Sequence, residues 1–244
     1  MKIYVVKDYD AVSKQAAEII SDQIKEKQDS VLGLATGSSP IGIYKLLVEK
    51  YKAGAISFKE IRTVNLDEYK GLNELNENSY HYYMNDNLFS KVDINPANIN
   101  IPNGMAVDDN AECARYEEVI KSLGGIDLQL LGLGENGHIG FNEPGTPFKV
   151  RTHVVDLTES TIHANSRLFE RIEDVPRQAY SMGVNTIMGA KKILLVVNGA
   201  KKAEALAKVI NGPVSTEVPG SVLQTHPDVT IICDEEAAKL LYVL

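Results

Sequence analysis

Tryptophan is absent from the 244-residue chain, cysteine occurs twice, and no apolar run approaches the length of a membrane span. A membrane helix needs about 20 consecutive apolar residues, so we expect no membrane partner. Cys113 and Cys233 lack the paired spacing of zinc ligands and are interpreted as free thiols. The amino-terminal stretch MKIYVVKDYD lacks the apolar segment of a signal peptide. These features predict a cytoplasmic protein.

Basic residues are also scarce, since 25 Lys and Arg stand against 33 Asp and Glu, for a net charge of −8. An extended nucleic-acid surface needs clustered Lys and Arg, so we expect no nucleic-acid partner. A local basic pocket for one phosphate is compatible with this balance. No histidine pair has metal-ligand spacing such as H-E-x-x-H, so the sequence predicts no catalytic metal.

Apolar runs bounded by turn residues alternate with helical patterns along the chain. The strand patterns cover residues 2–6, 30–34, 62–66, 126–133, 152–157, 192–197 and 229–233; the helical patterns cover 9–27, 41–51, 79–88, 110–123, 201–210 and 235–241. This alternation predicts an α/β fold with a doubly wound, mainly parallel sheet and helices on both faces. No linker, repeat or composition break interrupts it, so residues 1–244 are predicted to form a single domain.

Ligands of such sheets bind beyond the carboxyl ends of the strands, and the loops there carry the chemically informative residues. The loop LGLGENGHIGFNEPG (131–145) contains G-x-G-x-x-G, the spacing of a dinucleotide-binding turn. That turn must open a helix, but here another glycine and a Pro-Gly pair follow. We therefore interpret the loop as a close-approach backbone that exposes His138 and Glu143. A histidine titrates near neutral pH, and a carboxylate beside it can hold the imidazole in one tautomer.

The loop LATGSSP (34–40) lies between a strand and a helix. Gly37 permits close approach of the backbone, and the neighbours Thr36, Ser38 and Ser39 offer hydroxyl groups. The backbone N–H groups at the start of the following helix favour an anion. A plain helix cap is the alternative interpretation. No Gly-Lys-Ser/Thr follows, which excludes a Walker P-loop.

The stretch VNLDEY ends a predicted strand with two adjacent carboxylates, Asp67 and Glu68. If the strand continues through Asp67, the two side chains point to opposite sides, so that one enters a site and the other turns away. A solvated strand end is the alternative.

Three basic side chains are candidates for a phosphate. Arg167 lies in a helical pattern, and arginine is suited to bidentate phosphate binding. Lys201 and Lys202 begin a helix, where positive charge opposes the helix dipole unless an anion is bound. A solvated basic pair is the alternative for these lysines.

Taken in order, the segments LATGSSP, VNLDEY, GENGHIGFNEPG, ANSRLF and VNGAKKAEAL resemble the glucosamine-6-phosphate deaminase (glucosamine-6-phosphate isomerase) family over nearly the whole chain. The related 6-phosphogluconolactonases share the fold, but typically lack the Asn-Glu-Pro part and the LDEY carboxylate pair. The resemblance implies conversion of glucosamine 6-phosphate and water to fructose 6-phosphate and ammonia, in amino-sugar catabolism. In class terms this is a hydrolase acting on a carbon–nitrogen bond, and no cofactor is implied.

The resemblance also implies roles for single residues. His138, oriented by Glu143, would carry the proton that opens the sugar ring. Asp67 would move the proton from carbon 2 towards carbon 1, with Glu68 outside the site or supporting the loop. The groups implied to hold the phosphate are Thr36, Gly37, Ser38, Ser39, Arg167 and Lys202.

Two departures from the family pattern qualify these roles. Asn136 stands where many members have an aspartate, so we expect it to position groups while Glu143 alone tunes His138. Allosterically activated hexamers carry a longer carboxyl-terminal segment and more basic residues in the effector pocket; here Arg151 matches, but His153 replaces the usual lysine. We therefore expect weak or absent activation by N-acetylglucosamine 6-phosphate, and a monomer or small homo-oligomer. Residues 149–174 are expected to act as a lid.

Three other functions remain as alternatives. A lactone hydrolase on the same fold would use the histidine to activate water. A non-catalytic sugar-phosphate sensor would bind without chemistry, although the chain carries no DNA-binding motif. A nicotinamide-dependent enzyme is disfavoured by the missing helix.

Overall fold

The computed structural model describes residues 1–159, 162, 166, 169 and 171–241. Its strands are β1 (Lys2–Val6), β2 (Val31–Leu34), β3 (Arg62–Asn65), β4 (Asp67–Tyr69), β5 (Ile99–Asn100), β6 (Leu128–Gly132), β7 (His153–Asp156), β8 (Gln178–Ser181), β9 (Lys192–Val197) and β10 (Val229–Asp234). Its helices are α1 (Tyr9–Glu26), α2 (Ile41–Lys52), α3 (Tyr80–Asn87), α4 (Asp109–Ser122), α5 (Val184–Met188) and α6 (Ala203–Asn211).

The main sheet confirms the predicted α/β class. Within the described part of the chain, seven parallel strands pair in the order β1-β10-β9-β6-β2-β3-β5. The central strands β2, β6 and β9 are buried along nearly their whole length, as expected for a sheet covered on both faces. Helix α1 shows why its sequence pattern predicted a helix. Asp8 caps its first turn, and Val12, Ala16, Ile20 and Ile24 form its buried stripe. The assignment of residues 1–244 to one domain stays a prediction.

A second, antiparallel sheet, β4-β8-β7, was not predicted as such. The chain leaves the main sheet at Leu66, whose N–H donates to the carbonyl of Leu34 and whose carbonyl accepts from Met182. It enters the second sheet at Asp67, directly after the strand predicted at 62–66. The segment Asp-Glu-Tyr is too short and too polar to predict a strand by itself. This sheet has its own apolar cluster, of Tyr69, Phe141, Val155, Leu157, Ile162, Val175 and Ala179.

The predicted last helix at 235–241 is wrong, because this segment forms turns. Asp234, the last residue of β10, directly precedes this segment. Its carboxylate accepts from the N–H of Ala237 at 2.8 Å and also from the N–H of Gly199 at 2.9–3.0 Å. The segment is thereby tied to the loop after β9. The helical pattern at 201–210 is shifted, since α6 begins at Ala203 after a short 3₁₀ turn.

The two ends of the main sheet differ in chemistry. At the amino ends, the Asp127 carboxylate contacts the ammonium groups of Lys27 and Lys191 at 2.6 and 2.8 Å and accepts from the N–H of Val31. Although burial opposes it, these partners lower the pKa of Asp127 to about 2. Paired charges therefore lie at the amino ends, and a cavity of about 610 Å³ opens at the carboxyl ends.

Two expectations from composition can be compared with the structure. Both cysteines are free thiols, with Cys233 buried and Cys113 partly so. None of the helices in the described ranges combines the length and apolarity that crossing a bilayer requires.

Candidate functional site

A cavity of about 610 Å³ opens at the carboxyl ends of the main-sheet strands. It is lined by residues that follow β2, β3, β6 and β9, as the topology predicts for this fold. Eight of the predicted site residues line it, namely Thr36, Gly37, Ser38, Ser39, Asp67, Asn136, His138 and Lys202. Glu143 reaches the site through His138, and Arg167 lies outside the described residues.

Asp67 lies at the junction of the two sheets, with 6% of its surface exposed. It is the first residue of β4 and pairs in register with Ser181 of β8, so its backbone is fixed. Burial, and then the neighbouring charge of Glu68, raise the pKa of Asp67 to about 8. A carboxylate with this proton affinity is a strong base that also returns its proton readily near neutral pH.

Glu68 turns away from the cavity, as expected for consecutive residues of a strand. It is 2% exposed, which excludes the solvated strand end. Its carboxylate accepts three backbone N–H groups, those of Tyr69 at 2.8 Å and of Tyr80 and His81 at 2.9 Å. Burial raises the pKa of Glu68 to about 7 against the opposing effect of these three donors.

The loop after β6 presents His138 over a glycine. The N–H of Gly134 donates to the His138 carbonyl at 2.9 Å, and Gly137, at φ +88°, makes the reversal between them. A Cβ atom at position 134 would lie 2.4–2.5 Å from three atoms of the imidazole ring. The second glycine of G-x-G-x-x-G therefore makes room for the histidine.

His138, Glu143 and Asn136 form one contact group. His138 Nδ1 lies 3.3 Å from Glu143 Oε1, and both side chains are largely buried. The Asn136 amide donates to Glu143 Oε2 at 2.5 Å, and its oxygen accepts the His138 N–H at 3.2 Å. Asn136 thus uses the donor and the acceptor ends of its amide, which an ionised aspartate cannot do.

The far side of this loop is anchored to the second sheet. Asn142, which is fully buried, donates to the carbonyls of Ile139 and Met182, both at 2.9 Å. The N–H of Phe141 donates to the Ser181 hydroxyl at 3.1 Å. The segment carrying His138 and the strand pair carrying Asp67 are therefore parts of one rigid support.

The loop after β2 is held by side chains from three directions. The Tyr83 hydroxyl donates to the Gly37 carbonyl at 2.6 Å, and the Tyr9 hydroxyl donates to the Ser38 carbonyl at 3.1 Å. The Ser39 hydroxyl donates to Asn198 at 3.1 Å. Pro40, at the start of α2, makes no side-chain cap, which disfavours the interpretation of this loop as a plain helix cap. The three contacts hold residues 36–39 in the lining of the cavity.

The structure distinguishes between Lys201 and Lys202, for which the sequence allowed either a phosphate contact or a solvated basic pair. Lys202 lines the cavity, whereas Lys201 is exposed and does not line it. Burial lowers the pKa of the Lys202 ammonium, and Glu135 opposes this effect. A bound anion would offset the unfavourable free energy of burying the Lys202 charge.

Some cavity residues were missed by the sequence analysis. Tyr80 was given no role there, but it lines the cavity and hydrogen-bonds with Thr36 and, at 3.2 Å, with the Tyr69 hydroxyl. Its ring stacks on Phe141, which also lines the cavity. The sequence places Tyr80 directly after Ser79 at the start of a helix, but it does not show that the Tyr80 side chain points into the cavity.

The nicotinamide interpretation loses its structural basis. All of residues 133–152 are described, and they form turns and an isolated bridge with no helix. The dinucleotide turn requires a helix there to receive the pyrophosphate.

The fold and the cavity define a class of α/β protein in which parallel strands present a buried carboxylate, a histidine–carboxylate pair and a lysine to one small ligand. The chain belongs to the family described as glucosamine-6-phosphate isomerases/6-phosphogluconolactonase, whose model matches residues 7–232. Proteins named glucosamine-6-phosphate deaminase from Thermoanaerobacter pseudethanolicus and Halothermothrix orenii are 54% and 55% identical to it over 241 residues. These alignments cover 99% of this chain and 95% and 100% of theirs.

Solved structures give the same grouping. One described as a monomeric glucosamine-6-phosphate deaminase superposes with a TM-score of 0.96 at 52% identity, covering 98% of this chain and all of the other. A 6-phosphogluconolactonase from Trypanosoma cruzi reaches a TM-score of 0.80 at 20% identity, covering 99% and 97% of the two chains. That more distant likeness shows a shared fold.

Proposed function

We propose that this cavity converts glucosamine 6-phosphate and water to fructose 6-phosphate and ammonia. The observation that carries the proposal is the meeting of Asp67, His138 and Lys202 at one cavity of sugar-phosphate size. Three steps follow, namely ring opening, proton transfer between carbons 2 and 1, and loss of the amine. The relatives that cover the full chain at more than half identity bear the name of this reaction.

Ring opening moves a proton from the anomeric hydroxyl to the ring oxygen as the bond between carbon 1 and that oxygen breaks. His138 is assigned this transfer, because imidazole both accepts and donates near neutral pH. Glu143, 3.3 Å from Nδ1, sets the tautomer and stabilises the imidazolium while it exists.

Asp67 is assigned the next transfer. It takes the proton from carbon 2, the electron pair forms a double bond between carbons 2 and 1, and the carbonyl oxygen on carbon 1 takes up a proton from water, which gives the hydroxyl of an enolamine. The same carboxyl then returns the proton to carbon 1, leaving an iminium at carbon 2. A buried carboxylate with its pKa raised to about 8 suits both directions of this step.

Loss of the amine consumes water. Water adds to the iminium carbon, the nitrogen takes up a proton, and ammonia departs as the ketone of fructose 6-phosphate forms. The phosphate is held by the hydroxyl and backbone groups of residues 36–39 and by Lys202. Arg167 is assigned to the phosphate by the family resemblance alone, and the lid expected at 149–174 falls partly outside the described residues.

The test is an assay that counts both products. Purified protein is incubated with glucosamine 6-phosphate without added metal or nicotinamide, and ammonia and fructose 6-phosphate are measured together. Equal, enzyme-dependent amounts support the proposal. A parallel reaction with 6-phosphogluconolactone reports acid release; acid release there without ammonia from the amino sugar would favour the lactone hydrolase. Tight sugar-phosphate binding with neither product would favour the sensor.

The proposal extends to cellular role and assembly. Release of ammonia into dilute solution favours the degradative direction, so the enzyme acts in amino-sugar catabolism. A phosphorylated sugar is an intracellular metabolite, which places the protein in the cytoplasm. The protein acts as a monomer, in line with the related solved structure described as monomeric.

A further inference from the structure

Glu68 is a buried carboxylate beside the base that has no task in the three steps above. It is 2% exposed, and its two oxygens accept the N–H groups of Tyr69, Tyr80 and His81. Two of these donors belong to the first turn of α3, where a negative charge is favoured by the helix dipole. The carboxylate therefore joins the strand that begins with Asp67 to the start of α3.

Helix α3 carries this connection on to the other side of the cavity. Tyr80, in its first turn, lines the cavity and hydrogen-bonds with Thr36. Tyr83, three residues further along the helix, donates its hydroxyl to the carbonyl of Gly37 at 2.6 Å. Both contacts end on the loop assigned to the phosphate.

We propose that Glu68 is a positioning residue that couples the base to the phosphate loop: its carboxylate clamps α3 to β4, and α3 holds residues 36–37. A second effect is electrostatic, because the Glu68 charge beside Asp67 helps to keep the proton on Asp67. This inference rests on the roles proposed above for Asp67 and for the loop.

Within the described part of the chain, the titratable groups that interact with Asp67 are Glu68 on its own strand and three tyrosines, from α2, α3 and α4: Tyr44, Tyr80 and Tyr116. Glu135, His138 and Lys202 line the same cavity as Asp67. Glu68 faces the backbone of α3, and Tyr180 is its partner across β8. Since the tyrosines are neutral near pH 7, removal of the Glu68 charge should act directly on Asp67.

Two variants separate the two effects. Glu68→Gln removes the charge and also replaces one accepting oxygen by an NH₂ group, so the acidic limb of the kcat/KM profile should move to lower pH by about one unit, besides any loss of phosphate affinity. Glu68→Asp keeps the charge but shortens the reach to α3, so this limb should stay in place. Its affinity for inorganic phosphate should instead fall about 2- to 10-fold, the effect of weakening one neutral hydrogen bond.

Glu112→Gln is the matched control. Glu112 is also buried, accepts a backbone N–H from Asn103 at 2.7 Å, and lies outside the cavity lining. Each variant is measured for Tm, for phosphate affinity by calorimetry, and for amide exchange at Tyr80 and His81. The control should lose Tm without changing the pH limb, the phosphate affinity or these two amides.

Unchanged phosphate affinity and pH limb in both Glu68 variants, with a loss of Tm like that of the control, would overturn the inference. If the Glu68 variants do not fold, Tyr83→Phe tests the link to Gly37, and unaltered phosphate binding there would also overturn it. Phosphate affinity and amide exchange do not depend on turnover. A wild-type protein that binds phosphate but releases no ammonia would therefore count against the proposed function and leave Glu68 testable.

Discussion

At the scale of single residues, burial decides the proton affinity of Asp67. Its pKa is about 8 in the fold, against about 3.9 for an unperturbed aspartate. The base must be ionised to act, so kcat/KM should rise with pH up to about 8. Because Glu68 titrates near 7, this limb belongs to the carboxylate pair. A pH–rate profile that is flat between pH 6 and 9 would contradict the assignment.

Asp67→Asn should lower kcat by about 10²- to 10⁴-fold, since the base is lost. The same variant should be more stable than the wild type. The folded state binds the Asp67 proton more tightly than the unfolded chain does, so wild-type stability falls as pH rises from about 4 to 8. Asparagine does not titrate, so the difference in Tm should be small at pH 4 and should widen towards pH 8. Thermal melts across this range measure it; a variant less stable at every pH would show that burial is not the dominant cost.

Substitution of Asn136 tests the role proposed for the His138–Glu143 pair. Asn136→Asp would remove the amide donor to Glu143 and place a second carboxylate 2.5 Å from it. Added negative charge favours the imidazolium, so the imidazole of His138 should titrate at higher pH in the variant than in the wild type, which NMR measures without turnover. The acidic limb of the pH–rate profile belongs to Asp67 and Glu68 and should stay in place. An unmoved imidazole titration would show that charge at position 136 does not tune His138.

At the scale of elements, the loop after β6 depends on the absent side chain of Gly134. Gly134→Ala should displace the imidazole, since its Cβ would overlap the ring, and kcat should fall about 10²-fold. If the effect acts through His138, adding Gly134→Ala to His138→Gln should cost little more than His138→Gln alone. Steady-state rates of the four proteins complete the cycle. Additive losses would place the defect elsewhere in the loop.

The 3₁₀ turn before α6 directs one of its two lysines into the cavity. Lys202→Ala should raise KM about 10- to 100-fold, because it removes a charge-assisted contact to phosphate. Lys201→Ala is the matched control, because Lys201 has the same charge one residue away but is exposed. Its KM should stay within about 2-fold of the wild type. Equal effects of the two variants would indicate general electrostatic attraction rather than a contact.

At the scale of the whole molecule, the proposed monomer has a kinetic consequence. Cooperative activation of the kind found in hexamers needs subunits that change state together. The substrate curve should therefore be hyperbolic, and N-acetylglucosamine 6-phosphate should not change its shape. Light scattering during gel filtration should give a mass close to the 26.8 kDa of one chain. A hexamer with a sigmoidal curve that this effector abolishes would refute both expectations.

The sequence by itself determined the class of the fold and most of the candidate site. Long periodic segments such as α1 and β9 are set by local burial patterns, and parallel sheets bring the loops after their strands to one edge. Asp67, Asn136, His138 and Lys202 could therefore be placed together from their positions after strands. The glycine spacing around position 134 was visible too, and the lack of a following helical pattern disfavoured the dinucleotide turn.

Only the tertiary structure decided features that depend on contacts distant in sequence. The second sheet forms because β4 and β8 pair across more than 100 residues, which no local pattern records. The tertiary packing also buries the carboxylates of Asp67 and Glu68 and turns Tyr80 into the cavity, and the 3₁₀ turn after β9 distinguishes Lys202 from Lys201. Proton affinity follows from that burial, so the sequence could name Asp67 as a base, but the fold had to set its pKa.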